Sequence, residues 1–455
     1  MKQYKRKVFQ IFLKSTLAVA SLLLSLVLLH TVYQILTDVS EDSGKSTLSQ
    51  SSIDSKIEIY GTIQTVSDSS SSSDTDGSPD GTVSGKKTGD SEALDASKHS
   101  DSSAVSDAGK NTGSSGDSDS KKSKNTGKSL AGQDDTTVVF AGDVYFSDYV
   151  LANYSQSGIK GILSEPLLNE LAGADITMLN NEFPYSTRGS QAPDKQFTFR
   201  IDPSYVSILK ESGADLVTLA NNHVLDYGTD ALSDTFQTLD DAGIAYAGAG
   251  DSLERASRLM TKEANGRTFG FLAASRVFPV VSWNVENAQP GVFSAYDPSR
   301  LIAAVSEARS HCDFLCVYVH WGIERSTKPE QYQISMAHAL IDAGADAVIG
   351  AHPHVLQGVE YYNGKPVFYS LGNFIFYQNI EQTAIAKLTL SADNTASWQL
   401  LPAKASNACT ALISDANACK EFYQYIKGLS VNAKFTDKGK ILPANQSAEK
   451  TPDAG

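Results

Sequence analysis

The residue types best able to do chemistry sit in three short motifs that hold four of the chain's 8 histidines. His223 closes Leu219-Ala-Asn-Asn-His, His320 opens His-Trp-Gly-Ile-Glu324, and His352 and His354 flank Pro353 in Val348-Ile-Gly-Ala-His-Pro-His-Val. A proline between two imidazoles rules out a shared helix face and disrupts a straight strand, so the pair predicts a turn. Asp143, Glu182 and Asn222 follow similar apolar runs. Carboxylates, imidazoles and an amide oxygen form a mixed donor set that suits Mn, Fe or Zn better than Ca or a thiolate-held metal. Asp143, Glu182, Asn222, His320, His352 and His354 exceed what one catalytic zinc keeps beside an open position, so divalent ions in a pair sharing a carboxylate fit better. Such pairs clamp the attacking and leaving oxygens of an in-line displacement at phosphorus, and an unligated histidine beside them can protonate the leaving group.

A repeated local grammar predicts what positions these groups. Thr136-Thr-Val-Val-Phe-Ala reads as a buried strand ending on Gly142-Asp143. After helical spacing around Ile162–Leu171, Gly173-Ala-Asp175 leads into Ile176-Thr-Met-Leu and ends on Asn180-Asn-Glu182. The phrase returns as Gly213-Ala-Asp215 before Leu216-Val-Thr-Leu-Ala and Asn221-Asn-His223, and as Gly344-Ala-Asp346 before Ala347-Val-Ile and His352-Pro-His354. Cys312-Asp313 introduces another strand, Phe314–Val319, which ends on His320. In this reading each glycine closes a helix at a left-handed cap and each apolar run is an interior strand. The carboxyl ends of neighbouring strands in an α/β sheet share one edge, so Asp143, Glu182, Asn222, His223, His320, His352 and His354 are expected to converge there.

Taken singly, each of these residues has an ordinary structural reading, as a turn cap, a loop carboxylate or a hydrogen-bonded core histidine. Their common position at strand ends is what argues for a site. His30, His99, His311 and His338 fall elsewhere, the last on a helix expected over Glu330–Ala343, and receive no catalytic role. Later in the chain, Thr383–Leu390 and Ala396–Leu401 read as paired strands and Ser414-Asp415 opens a helix through Lys427.

The rest of the composition sets the context. Residues 1–14 carry Lys2, Lys5, Arg6, Lys7 and Lys14 without an acidic residue, and Ser15–Leu36 is an apolar run. Such a run spans ~30 Å as a helix, which predicts a single-pass membrane anchor with its basic flank in the cytoplasm and the C-terminal domain extracellular. Tyr33-Gln-Ile-Leu-Thr-Asp-Val fits the small-residue pattern of a signal-peptidase site poorly, which favours an anchor over a cleaved leader. Residues 37–133 are rich in Ser, Asp and Gly and too poor in apolar residues to offset chain entropy, so a disordered tether is expected. Lys56–Val66 alternates like a short strand within it. The folded domain is placed at 134–430, followed by a polar tail over 431–455. A net charge of −14 argues against a nucleic-acid partner. The four cysteines, at 312, 316, 409 and 419, contain no Cys-x-x-Cys, and Cys409 with Cys419 are open to a disulfide or to burial as thiols.

From Val139 to Phe376 the chain resembles the CapA-type poly-γ-glutamate capsule biosynthesis proteins, which look like a branch of the calcineurin-like metallophosphatase superfamily. The motifs that carry the resemblance are Ala141-Gly-Asp-Val, Asn181-Glu182, Phe197-Thr-Phe-Arg200, Leu219–Gly228, Val319–Glu324, Gly350–Gly358 and Tyr369-Ser-Leu-Gly-Asn-Phe374. It implies a metallophosphatase-like two-sheet α/β sandwich flanked by helices. It also implies Asp143 and His354 on a first metal, Glu182 bridging, Asn222, His320 and His352 on a second, and His223 as the acid facing the scissile bond. Tyr145 stands where the superfamily's opening Asp-x-His has its histidine, which leaves that place to water, Asp148 or substrate, or to a site with one ion. Asp226 is placed to orient His223, and Arg200, Glu324 and Asn373 are substrate-contact candidates. The function implied is a membrane-anchored, metal-dependent hydrolase or transferase of capsule assembly, with an acidic polymer or phosphorylated substrate and other capsule-synthesis membrane proteins as partners. A non-catalytic polymer-binding or export module, and a general cell-surface metallophosphatase, are the alternatives.

Overall fold

The computed structural model describes residues 134–285 and 289–445. The expected anchor, the tether and the strand-like Lys56–Val66 lie outside them, and no helix among the described residues is long and apolar enough to cross a membrane. In chain order the described elements are β1 (Thr136–Val144), α1 (Asp148–Ser157), α2 (Glu165–Ala172), β2 (Ile176–Asn181), α3 (Ser207–Glu211), β3 (Leu216–Thr218), α4 (Gly228–Ala242), β4 (Ala245–Ala247) and β5 (Ala249–Gly250). There follow α5 (Leu253–Ala256), β6 (Met260–Ala264), β7 (Arg267–Ser275), β8 (Gly291–Val292), α6 (Ser299–Ala308), β9 (Phe314–His320), α7 (Gln331–Asp342) and β10 (Ala347–Ala351). The chain continues through β11 (Val359–Tyr362), β12 (Lys365–Phe368), β13 (Asn373–Ile375), β14 (Ile380–Leu390), β15 (Ala396–Ser406), β16 (Cys409–Leu412), α8 (Ala416–Leu429), β17 (Ala433–Phe435) and β18 (Lys440–Pro443).

The first sheet runs β17-β18-β15-β14-β1-β2-β3-β4, with β13 beside β1 and β16 beside β15; the second runs β11-β12-β10-β9-β7-β6. Strands β1 to β4 are mutually parallel, as are β7, β9, β10 and β12. Alternation along β9 shows how the layers form. Phe314, Cys316 and Tyr318 enter the core shared with the first sheet, whereas Leu315, Val317 and Val319 pack with Leu301 and Val305 of α6 and Leu340 of α7. Trp398 of β15 meets Phe368 and Phe314 of the second sheet at 5.2 and 6.3 Å, and the Tyr318 hydroxyl donates to the Ala141 carbonyl at 2.8 Å. By the same alternation His320 faces the first sheet, on the side of Tyr318.

The aspartates of the repeated phrase lock the parallel strands in register. Asp175 accepts from the Thr137 amide, Asp215 from Thr177, Asp313 from Thr268 and Asp346 from Leu315, at 2.8 to 2.9 Å. Each therefore ties the entry of its own strand to the entry of a neighbour. A one-residue slip would break the clamp and turn every following side chain to the other face.

Two expectations need correction. Gly173 closes α2 with right-handed backbone (φ −87°), unlike Gly213 and Gly344, which have φ of 82° and 120°. The run after Gly173 turns into β2 without a left-handed cap. The folded region also extends past residue 430, because Ala433 and Ile441 are buried and β17 and β18 join the first sheet beside β15. Of the two outcomes left open for Cys409 and Cys419 the structure shows thiols, and all four cysteines are free.

Candidate metal centre

The tips of β1, β2, β3, β9 and β10 meet, and their side chains form one buried cluster. Asp143 is fixed from two directions: Oδ1 accepts from Asn180 Nδ2 at 2.7 Å, and Oδ2 lies 3.2 Å from His354 Nδ1 and 3.4 Å from the His352 amide. Gly142 is required here, since an added Cβ would lie 1.8 Å from the Gly372 carbonyl oxygen that receives the Asp143 amide. Asn180 in turn accepts from Asn221 Nδ2 at 3.1 Å, and Asn221 Oδ1 accepts from the His223 amide at 3.0 Å. The first asparagine of each Asn-Asn pair is thus a brace for the residues around it.

Glu182 is the centre of the cluster. It is fully buried, yet neither carboxylate oxygen has a hydrogen-bond partner among the described residues. Its Oε1 lies 3.8, 3.9 and 4.0 Å from Nε2 of His320, His354 and His223. Asn222 Oδ1 lies 2.8 Å from His320 Nε2, and His354 Nδ1 lies 2.8 Å from Asn373 Oδ1. His352 and His354 occupy left-handed backbone, with φ of 97° and 58°, which turns both rings inward around Pro353. His352 Nδ1 is buried without a partner.

Burial and neighbouring charge pull these groups apart. Burial, then Asp143, holds the Glu182 carboxyl well above the usual range. Burial, then His352, lowers His320 well below an ordinary imidazole, and burial with His354 does the same to His352. For His354 burial acts downward, but the Glu182 and Asp143 carboxylates prevail and carry it up to about 10. Burial, reinforced by Lys195, lowers His223 to about 4.

His223 has its own surroundings. Its Nδ1 lies 2.7 Å from Asp226 Oδ2 and 3.0 Å from Lys195 Nζ, while its ring stacks on Phe199 at 4.1 Å. Lys195 also reaches Asp226 Oδ1 and donates to the Asn222 carbonyl at 2.5 Å. Tyr145 also stacks on Phe199, with ring centres 3.9 Å apart.

The structure brings Asp143, Glu182, Asn222, His223, Asp226, His320, His352 and His354 together, with Asn373 behind His354. Glu324 is exposed at the rim, its carboxylate within 4.8 Å of ligand atoms of His352 and His354. Arg200 does not join them: its guanidinium donates to the Arg188 carbonyl at 3.0 Å and lies 4.0 Å over the Tyr227 ring. Lys195 and Asn180 were not singled out by sequence; the available signals were a lysine just ahead of Phe197-Thr-Phe-Arg and the first letter of Asn180-Asn181.

The donors group as Asp143, Glu182 and His354, as Glu182, His320 and His352, and as Glu324, His352 and His354. A buried carboxylate with no donor and an imidazole nitrogen with none are costly unless something positively charged satisfies them, so the set is compatible with bound divalent ions.

A mixed α/β, sheet-rich domain with carboxylates and imidazoles gathered at its strand tips is the class defined here. Residues 137–378 match the family described as bacterial capsule synthesis protein PGA_cap, and the chain belongs to it. It is 34% identical over 286 residues to the PGA biosynthesis protein CapA of Bacillus subtilis, covering 61% of this chain and 74% of that one. It is 30% identical over 276 residues to the capsule biosynthesis protein CapA of Bacillus anthracis, covering 58% and 66% respectively.

Proposed function

We propose that the chain is a membrane-anchored, extracellular component of poly-γ-glutamate capsule assembly whose folded domain hydrolyses or transfers a phosphorus- or acyl-linked bond at a metallophosphatase-like centre. The observation that carries this reading is Glu182, a buried carboxylate without a hydrogen-bond donor and ringed by three imidazole nitrogens. In this reading Asp143, Glu182 and His354 hold one divalent ion and Glu182, Asn222, His320 and His352 a second, of Mn, Fe or Zn type. When bound, such ions supply Lewis acidity to the oxygen atoms of the reacting group. Asp226 holds His223 through Nδ1, so Nε2 faces the cluster; burial and Lys195 keep the ring neutral at rest, so Nε2 takes up a proton before giving it to a departing oxygen. Lys195 fixes the other carboxylate oxygen of Asp226, and the Phe199 ring fixes the plane of the imidazole. Asn180 and Asn373 hold Asp143 and His354 in place from behind. The run Ser15–Leu36 would supply the anchor, and the acidic polymer and other membrane proteins of the capsule machinery would be the partners.

Tyr145 favours a second reading, in which the domain binds or exports the polymer without chemistry, because a stacked phenol stands where a metal-binding imidazole is expected. Metal analysis of the purified chain with turnover of a generic phosphodiester separates the two. A metal-loaded protein that turns the diester over supports the hydrolase, and a metal-free, inert protein that still binds poly-γ-glutamate supports the binder. Loss of surface polymer on gene deletion is expected under either reading, and intact polymer would contradict both.

A further inference from the structure

The tip of β7 adds a cation to the edge already described. Ser275 pairs in register with His320, and the Arg276 amide donates to the His320 carbonyl at 2.8 Å, so Arg276 is the first residue beyond the strand adjoining the cluster. Its guanidinium lies 3.7 Å from the centre of the Tyr296 ring and 5.0 Å from that of Tyr332. The Tyr332 hydroxyl accepts from the Gly322 amide at 2.6 Å, which ties this aromatic slot to the turn leaving His320.

Three other arginines meet carboxylates, Arg188 with Asp234, Arg255 with Asp240 and Arg309 with Asp346, while Arg200 and Arg267 donate to carbonyl, amide or hydroxyl oxygens. Half-buried Arg276 has no ion pair and no side-chain hydrogen bond among the described residues, although the chain carries a net charge of −14. Tyrosine rings engage the face of a guanidinium and leave its in-plane N–H groups free. That edge is the part that forks onto a planar oxyanion.

We propose that Arg276, held in the Tyr296–Tyr332 slot, is a substrate-recognition residue that binds a free α-carboxylate of a γ-linked glutamyl chain laid across the strand tips. This rests on the capsule-polymer reading, which supplies a ligand with a carboxylate on each unit. The backbone of Arg276 adjoins His320, so a chain whose unit is held at the aromatic slot can run along the same edge of the strands toward the cluster.

The test is calorimetric titration of the full chain in detergent with a γ-linked glutamate oligomer, a neutral γ-linked isoglutamine oligomer of equal length, and inorganic phosphate. The neutral oligomer carries an α-carboxamide on each γ-linked unit in place of the α-carboxylate, and metal content and Tm are recorded for wild type, Arg276→Gln and Arg276→Lys. The acidic oligomer should bind wild type and the neutral one should not. Arg276→Gln should weaken binding about ten- to hundredfold, as expected for losing a hydrogen-bonded charge. Arg276→Lys should recover only part, because an ammonium neither forks nor stacks as a guanidinium does, and metal content and Tm should be unchanged. Equal binding of the acidic oligomer by wild type and Arg276→Gln would overturn the slot and leave the capsule reading standing. Absence of oligomer binding to wild type, with phosphate binding lost in Arg276→Gln, would overturn the carboxylate assignment together with the capsule reading.

Discussion

The first sheet brings carboxylates and amides to the shared edge, Asp143, Glu182 and Asn222, while the second brings imidazoles, His320, His352 and His354. The first set is braced by its own side chains, with Asn180 on Asp143 and Asn221 on Asn180. The second is held mainly by backbone, through the left-handed turn at His352 and His354, and leaves His352 Nδ1 without a partner. Two of the three donor groups, Asp143 with Glu182 and His354 and Glu182 with His320 and His352, draw on both sheets. A cation would sit at the seam, so its binding and the packing of the two sheets should be energetically linked.

This contrast can be broken at graded points. The largest effect is expected at the seam: His354→Ala should lower bound metal by elemental analysis, with the ion held by Glu182, Asn222, His320 and His352 retained. His223→Ala should keep the metal and lower phosphodiester turnover by about 10²–10⁴-fold, the usual range for a general acid. Equal metal loss in both variants would mean that the division into ligand and acid is wrong. On the braced side, Asn180→Ala should weaken metal affinity roughly 10–100-fold in a competition assay with a chromogenic chelator, as for other groups that orient a ligand. Unchanged affinity would show that Asp143 needs no brace. The smallest effect is expected at Tyr318→Phe, which removes one buried cross-sheet hydrogen bond and should cost ~1 kcal/mol in denaturant unfolding with metal content intact.

The strand tips were legible because a polar residue following a buried apolar run can point only toward the carboxyl edge, and that edge is common to neighbouring parallel strands. Five runs announced themselves this way, and the structure brings their ends together. β7 was missed for the same reason in reverse: Phe269-Gly-Phe-Leu-Ala-Ala ends on Ser275-Arg276, with no carboxylate or imidazole to draw attention to it. The role of Asp175, Asp215, Asp313 and Asp346 was hidden because each partner amide lies on another strand, 31 to 45 residues away. Arg200 and Lys195 lie in one irregular segment whose side-chain directions no periodicity reveals. The lysine reaches His223, whereas the arginine lies over Tyr227. β17 and β18 are short and flanked by polar residues, so Ile441 and Ala433 gave too weak an apolar signal to extend the domain past 430.

The most direct test of the account is elemental analysis of the purified wild-type chain beside Glu182→Ala, with folding checked by circular dichroism. A stoichiometric divalent transition metal in wild type, absent from a folded Glu182→Ala, is the predicted result. A folded wild-type protein without metal after purification in metal-supplemented buffer, or a Glu182→Ala variant that binds metal as tightly as wild type, would contradict it.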